Sequence, residues 1–290
     1  MVAKPEQIDV VVRIHDPARM AELKRCVFSL VSQSHRPVRV IIAAQRFSDE
    51  GLAATRAALA PLIDGEDGVT LDIVNWTEAE PADARSVLLN AGVQAAEGRY
   101  LAYLDYDDAL YPDAYELLIG KLRQTGAAIA FASVRVMQLH VYDHFFYAAE
   151  KVVPPFSGKT LIDLFRNNFC PIHSYVIDRD QVAPELLSFN TNLLMEEDYD
   201  VLLKICARYP SDFSLIGTDV GEYYYKTDGS NTVPTNGVLT AQSVERYKGV
   251  RLTIEHRKRV TLVSDAVQKL LGLAPSSKPM TVRDVIDRYS

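Results

Sequence analysis

Cysteine is scarce in this chain. Cys26, Cys170 and Cys206 lie far apart and form no C-x-x-C pair, so neither a disulfide framework nor a thiolate zinc site is indicated, and a reducing compartment is expected. Positive charge is also short, with 31 Lys and Arg against 38 Asp and Glu and a net charge of −7. With an isoelectric point near 5.4, the chain lacks the basic footprint of a nucleic-acid binder. No apolar run approaches the ~18 residues of a membrane span. The opening stretch Met1 to Asp9 carries one lysine with no apolar segment behind it, unlike a signal peptide. Internal repeats and low-complexity tracts are absent. What remains is a chain of 290 residues, 48% hydrophobic, with mean hydropathy −0.03, enough for one large globular domain or a domain with an appendage. The expected location is cytoplasmic, with a peripheral membrane contact left open.

From Asp9 to Ser133, short β-rich runs alternate with helical patterns, the signature of a parallel α/β sheet. Strands are predicted at Val10–Ile14, Val38–Ala43, Thr70–Val74, Tyr100–Leu104 and Ala127–Ser133, and helices at Ala18–Ser32, Asp49–Leu62, Asp83–Ala96 and Pro112–Thr125. Leu23, Val27, Leu30 and Val31 recur at the spacing of one buried helix face, and Cys26 beside them reads as core. Beyond Ser133 the pattern turns α+β: an aromatic-rich stretch at Val134–Tyr147, then short helices near Leu161–Arg166 and Asp198–Arg208. Pro154-Pro155 and Ser157-Gly158 are too brief for a flexible linker, so both halves are expected to share one sheet. A helix is predicted from Leu239 to Leu271, with apolar Leu252, Leu262, Val263, Val267, Leu270 and Leu271 and a basic cluster His256-Arg257-Lys258-Arg259. Such a helix suits an anionic membrane surface, a second subunit or packing on its own domain.

The most informative stretch is Tyr100-Leu-Ala-Tyr-Leu-Asp105-Tyr-Asp107-Asp108, an apolar run that ends in three carboxylates. Parallel sheets bind ligands beyond the carboxyl ends of their strands. In an extended chain Asp105 and Asp107 share one side while Tyr106 points away, and their hard oxygen donors suit Mg²⁺ or Mn²⁺, which in turn can hold phosphates. The alternative is a solvated loop in which Asp108 or Asp113 caps the next helix. A second acidic run, Glu196-Glu197-Asp198-Tyr199-Asp200, opens a helix. Favourable interaction with the helix dipole explains it as readily as a general base does. A third element, Asp83-Ala-Arg85-Ser86, also stands at a helix start, where Arg85 could meet a phosphate or sugar hydroxyl, or where Asp83 or Ser86 could simply cap.

Taken in order, Val10-Val-Val-Arg-Ile-His15, Ser29-Leu-Val-Ser-Gln33, Val40-Ile-Ile, then Arg85-Ser-x-x-x-Asn90-x-Gly92, Gly98-x-Tyr100-Leu, Asp105-Tyr-Asp107-Asp108 and the later Glu197-Asp198 resemble the family 2 glycosyltransferases. The resemblance spans roughly Asp9 to Asn231. It implies the GT-A fold, a Rossmann-like α/β arrangement with a mixed, mainly parallel sheet flanked by helices. Residues 1–133 would form the nucleotide-sugar half, 134–235 an α+β acceptor half and 236–290 a C-terminal helical extension. It further implies that Asp105 contacts the nucleotide's ribose region and that Asp107 binds a divalent metal, Mn²⁺ or Mg²⁺, on the diphosphate. Asp198 is implied as the base that deprotonates the acceptor hydroxyl, with Glu197 beside it on the acceptor side. The donor implied is a UDP-, dTDP- or GDP-sugar, and the acceptor a cell-surface glycan or glycolipid, glycosylated with inversion.

The chain departs from the family pattern in places. Ala44-Gln45 stands where an acidic residue often grips the base, leaving recognition to Gln45 or backbone groups, and Arg13-Ile14-His15 stands where smaller residues are usual, making Arg13 a contact for the donor. No histidine occurs in Tyr225-Lys-Thr-Asp228-Gly, where relatives carry one for the metal or diphosphate, so Asp228 is the candidate replacement, or part of a turn. His173, in Cys170-Pro-Ile-His173-Ser, is a candidate acceptor-side residue or a structural histidine. Two other classes compete. An aspartate-nucleophile phosphatase also begins its site with D-x-D, but on a first strand and followed by Thr or Val. A catalytically degenerate module of the same fold would bind nucleotide without transfer.

Overall fold

Ile8–Ile14 forms β1, buried on both faces, as a central strand of a parallel sheet must be. In this computed structural model residues 6–142, 145–151, 156–226, 241–274 and 278–289 are described. The strands are β1, β2 (Val38–Gln45), β3 (Val69–Trp76), β4 (Tyr100–Asp105), β5 (Ala109–Leu110), β6 (Ile129–Val141), β7 (Phe146–Lys151), β8 (Tyr175–Asp178) and β9 (Ser211–Lys226). The helices are α1 (Met20–Val31), α2 (Asp49–Ile63), α3 (Arg85–Ala95), α4 (Ala114–Thr125), α5 (Leu161–Arg166), α6 (Glu197–Arg208), α7 (Ala241–Val260), α8 (Asp265–Leu270) and α9 (Val282–Arg288).

The strands join one sheet in the order β3-β2-β1-β4-β8-β6-β9-β5, with β7 on β6. The first four pair in parallel. Alternate residues divide between two cores: Val10, Val12, Ile42 and Leu104 face α1, α2 and α4, while Val11, Ile41, Leu101 and Tyr103 face α3, α5, α6 and the C-terminal helices. Both halves of the chain therefore share one sheet, as expected. Close packing on the second face requires Gly92 of α3, where a Cβ would stand 2.2 Å from Val11 Cγ1. Cys26, Cys170 and Cys206 are all buried and free.

The later strands correct the sequence reading. The strand expected from Ala127 is β6, but it does not lie beside β4. The four-residue β8 inserts between them, antiparallel to both. The aromatic-rich stretch is the continuation of β6 to Val141 and its antiparallel partner β7. β9 was not foreseen; its pairing with β6 shifts register repeatedly, which removes the regular alternation that identifies a strand.

The long C-terminal helix is likewise two helices. It breaks after Val260, Ser264 caps α8 by accepting from the Val267 N–H, and Leu262 bridges to Thr281. Leu252, Leu262 and Leu270 are exposed, whereas Val250, Ile254, Val263 and Val267 are buried. The basic cluster is partly turned inward: Lys258 is buried and donates to the Arg166 carbonyl at 2.8 Å, and Arg257 pairs with the buried Asp200 at 2.6 Å. Among the described residues no helix is long and apolar enough to cross a membrane.

Candidate active site

The sheet order reverses between β1 and β4, and ligands of open α/β sheets bind beyond the carboxyl ends of strands at such a point. A cleft of about 340 Å³ opens there, and Arg13, Gln45, Arg85, Asp105 and Asp107, all singled out in the sequence, line it. His15, Asp83, Tyr106, Asp108, Tyr223 and Tyr224 complete much of the wall.

Arg13 on β1 lies in register with Asp105 on β4. Its guanidinium donates to both Asp105 oxygens, at 2.6 Å and 3.1 Å. A third N–H reaches Glu197 Oε1 at 2.5 Å. Burial alone would push the Asp105 carboxyl up, but the charge and hydrogen bonds of Arg13 outweigh it and hold the carboxyl below its ordinary value. One cation thus joins two acidic motifs 92 residues apart in sequence.

Past Asp105 the chain turns, with the Asp108 N–H donating to the Asp105 carbonyl at 3.0 Å. Extended-strand alternation therefore does not apply: Tyr106 lines the cleft with the acids instead of pointing away. Asp107 accepts from the buried Lys226 ammonium at 2.6 Å. Its carbonyl accepts from Arg25, whose guanidinium lies 4.3 Å from the Tyr224 ring centre. Asp108 is buried, accepts the Tyr224 N–H at 2.9 Å and stands 3.4 Å from His173 Nδ1. Burial, then the charges of Asp107 and Asp105, push its carboxyl well above the usual range. Burial takes the His173 imidazole down to about 4. His173 is stacked parallel to Tyr223 and only 1% exposed, so it sits buried beneath the acid turn. Asp113 occupies the N-cap position of α4 but makes no side-chain capping bond there, and Asp108 is turned to the Tyr224 N–H instead.

Gln45 donates to the Ala82 carbonyl at 2.8 Å and accepts the Ala84 N–H at 3.4 Å, which fixes the loop leading into α3. Arg85 is paired with Asp83 at 2.8 Å. Ser86 does not cap α3; it donates to the Leu193 carbonyl at 2.9 Å. Asn90 donates to the Phe189 carbonyl at 3.0 Å and accepts its N–H at 2.7 Å. These two bonds anchor the segment that leads to α6.

Glu197 and Asp198 stand in the first turn of α6, behind Glu196, whose φ of 57° is left-handed, a conformation that costs a non-glycine residue energy. Asp198 accepts from the Asn168 amide at 3.3 Å and 3.4 Å and from the Tyr199 N–H at 2.8 Å. Burial, then the neighbouring Glu197 charge, push its carboxyl up to about 7. Glu197 itself is turned to Arg13, with 6% of its side chain exposed.

Lys226, Arg25 and Asn168 were not singled out in the sequence. Lys226 reaches the acid turn because β5 and β9 pair at Leu110 and Gly221, where a Cβ on Gly221 would stand 2.5 Å from the Ala109 carbonyl oxygen. Nothing in the spacing announces that approach. Asp228, the expected second metal ligand, lies outside the described residues. Among the described residues, no group of three or more His, Cys, Asp or Glu side chains could hold a metal ion.

A model of glycosyl transferase family 2 matches residues 17–168. The succinoglycan biosynthesis protein ExoO of Rhizobium meliloti (strain 1021) is 28% identical over 199 residues, covering 59% of this chain and 56% of its own length. The chain thus spans about half the length of that curated relative. Among solved structures, residues 1–349 of S. aureus TarS in complex with UDP superpose with a TM-score of 0.58 and 11% identity, over 90% of this chain and 68% of that one. The mannosyltransferase PcManGT from Pyrobaculum calidifontis, in complex with GDP-Man and Mn²⁺, superposes with a TM-score of 0.51 and 13% identity, over 99% of this chain and 80% of that one. At these identities the two structures are likenesses of fold.

Proposed function

The chain belongs to glycosyl transferase family 2 and has the GT-A fold, and from that premise we propose that it moves a sugar from a nucleoside diphosphate donor to an acceptor hydroxyl in the cytoplasm. One observation carries the reading: Arg13 binds Asp105 at the donor cleft and Glu197 beside Asp198, so the two acidic motifs meet at one point. In this reading residues 1–133 hold the donor, 134–235 face the acceptor, and 236–290 brace α6 through Arg257 and Asp200. The acceptor oxygen attacks the anomeric carbon, the bond from that carbon to the diphosphate oxygen breaks, and the nucleoside diphosphate leaves with the bonding pair. The hydroxyl proton passes to Asp198. Displacement from the face opposite the leaving group inverts the anomeric centre. A carboxyl near 7 supports the base role, since a base works best with a pKa close to the working pH.

Arg13, Gln45, Arg85 and Asp105 are the donor contacts in this account. The neighbours' UDP and GDP-Man support a UDP- or GDP-sugar, and ExoO's role in succinoglycan biosynthesis supports a polysaccharide or glycolipid acceptor. The described donor set does not fit the Mn²⁺ or Mg²⁺ expected at Asp107, because that carboxylate already carries the Lys226 ammonium and Asp105 is taken by Arg13. No step is therefore routed through a metal.

The test is Asp198→Asn. Donor affinity, measured by calorimetry, should stay within about twofold, while transfer falls by roughly 10² to 10⁴. Transfer at the wild-type rate would remove Asp198 from the reaction. Donor binding by the wild-type protein without transfer to any hydroxyl would make the chain a binding module.

A further inference from the structure

The later strands present a row of aromatic rings that begins in the donor cleft. Tyr223 of β9 lines that cleft, and its ring meets Tyr225 at 5.3 Å and Phe156 at 5.5 Å, both edge-on. Phe156 shares a second, smaller pocket with Phe169, the neighbour in sequence of the Asn168 that holds Asp198. Tyr225 pairs in register with Gln138 on β6, so both side chains leave the sheet on one side, opposite to Tyr224 and Lys226, which reach Arg25 and Asp107. Along β6 the same alternation brings His140 and Tyr142 to the side of Gln138. The bulge between β6 and β7 adds its extra residue to β7, which leaves the alternation of β6 intact. His140 is paired with Tyr147 on β7, the rings 6.1 Å apart. The Tyr142 N–H donates to the Phe145 carbonyl at 3.1 Å, and their rings stack at 4.5 Å.

Tyr142, Phe145 and Tyr147 are each more than half exposed, and a contiguous exposed patch of this kind marks a binding surface. One face of a pyranose ring is a layer of C–H groups, while its hydroxyls project from the rim. A flat aromatic side chain buries that face, and the polar edges of Gln138 and of the tyrosine hydroxyls suit the rim. From Val136 to Glu150 the chain has no Lys or Arg, so this surface lacks the cations that draw a protein to anionic lipid. From Gln138 to Tyr142 the strand advances about 13 Å, further than a single sugar ring reaches. We propose that this row is the track of an oligosaccharide acceptor, continuous with the donor cleft through Tyr223, and that it holds the sugar rings behind the one whose hydroxyl is glycosylated. The inference rests on the glycosyl-transfer reading and names its acceptor class, a chain of several sugars.

The experiment probes an array of immobilised glycans, from monosaccharides to hexasaccharides, with the full chain, alone and with UDP, dTDP or GDP present. Calorimetry of the best-bound glycan and of each diphosphate follows. At least one glycan of three or more sugars should bind, tighter by about tenfold or more than the monosaccharide of the same terminal sugar. The paired change Tyr142→Ala and Phe145→Ala should weaken that glycan by on the order of tenfold, with the circular dichroism of the fold unchanged. Tyr142→Phe with Phe145→Tyr, which keeps both rings, should retain most of the affinity. Binding of no oligosaccharide under any of these conditions overturns the inference, as does an affinity that the paired alanines leave unchanged. Binding to phosphatidylglycerol vesicles, or a dimer in sedimentation, that the paired alanines abolish while the wild type holds no glycan gives the face to lipid or to a second copy and overturns it too. A glycan held by a protein that binds none of the three diphosphates overturns the donor reading and leaves the glycan track standing.

Discussion

The two acidic motifs differ in what faces them. At the acid turn Asp105 and Asp107 meet cations, Arg13 and Lys226. At the start of α6, Asp198 accepts from the Asn168 amide and a backbone N–H, with Glu197 as a like-charged neighbour and Arg13 acting only through its charge among the described residues. The result is opposite titration: Asp105 is held below its ordinary value and Asp198 is pushed up to about 7. Carboxylates of one residue type are thus sorted by their partners into one held ionised to bind and one able to accept a proton. Arg13 serves both motifs, because by engaging Glu197 it positions the residue whose charge raises Asp198.

Removing that shared cation gives the largest expected effect. Arg13→Met leaves Asp105 and Glu197 facing each other without it, and breaking such a pair on one side typically costs about 3 kcal/mol or more. Urea unfolding near neutral pH measures the loss. Because Asp105 is depressed in the folded state, its contribution is present above the unfolded carboxyl pKa of about 3.9 and disappears as pH falls further, so the gap between wild type and variant should narrow under acid. A loss below ~1 kcal/mol at neutral pH would mean that the pair is no more than an exposed one. The smaller test is Asn168→Ala. Deleting the amide that favours ionised Asp198 should move the rising limb of the rate profile to higher pH by less than about one unit, and a shift to lower pH would contradict the assignment of that bond.

What could be read in advance follows the same division. β1, β2 and β4 are near-continuous apolar runs with both faces covered, and their ends carry Arg13, Gln45 and Asp105, so fold and cleft were legible together. Ser86, Asn90 and Gly92 were legible as a motif, yet their work is structural: hydrogen bonds to the segment before α6 and close packing on Val11. β8 is only four residues long and β9 has interrupted register, so neither leaves a periodic trace. With β9 hidden, periodicity does not bring Lys226 to Asp107, although the family resemblance sets its segment, Tyr225 to Gly229, beside the metal or diphosphate. The break after Val260 had a signal that went unread, Ser264 followed by Asp265 at a helix start. The sequence leaves His173 open between an acceptor-side and a structural role, because a sequence carries no measure of depth, and in the fold it is buried.

The most direct test of the central claim is the pH dependence of kcat for wild type and Glu197→Gln, from about pH 5 to about pH 9. Wild-type activity should rise through a limb near 7 as Asp198 loses its proton. Glu197→Gln removes the like charge and frees Arg13, and both changes favour the ionised carboxylate, so the limb should move to lower pH. A wild-type profile flat across that range, or a limb that stays in place when Glu197 is neutralised, would contradict the account of Asp198 as the base tuned by its neighbours.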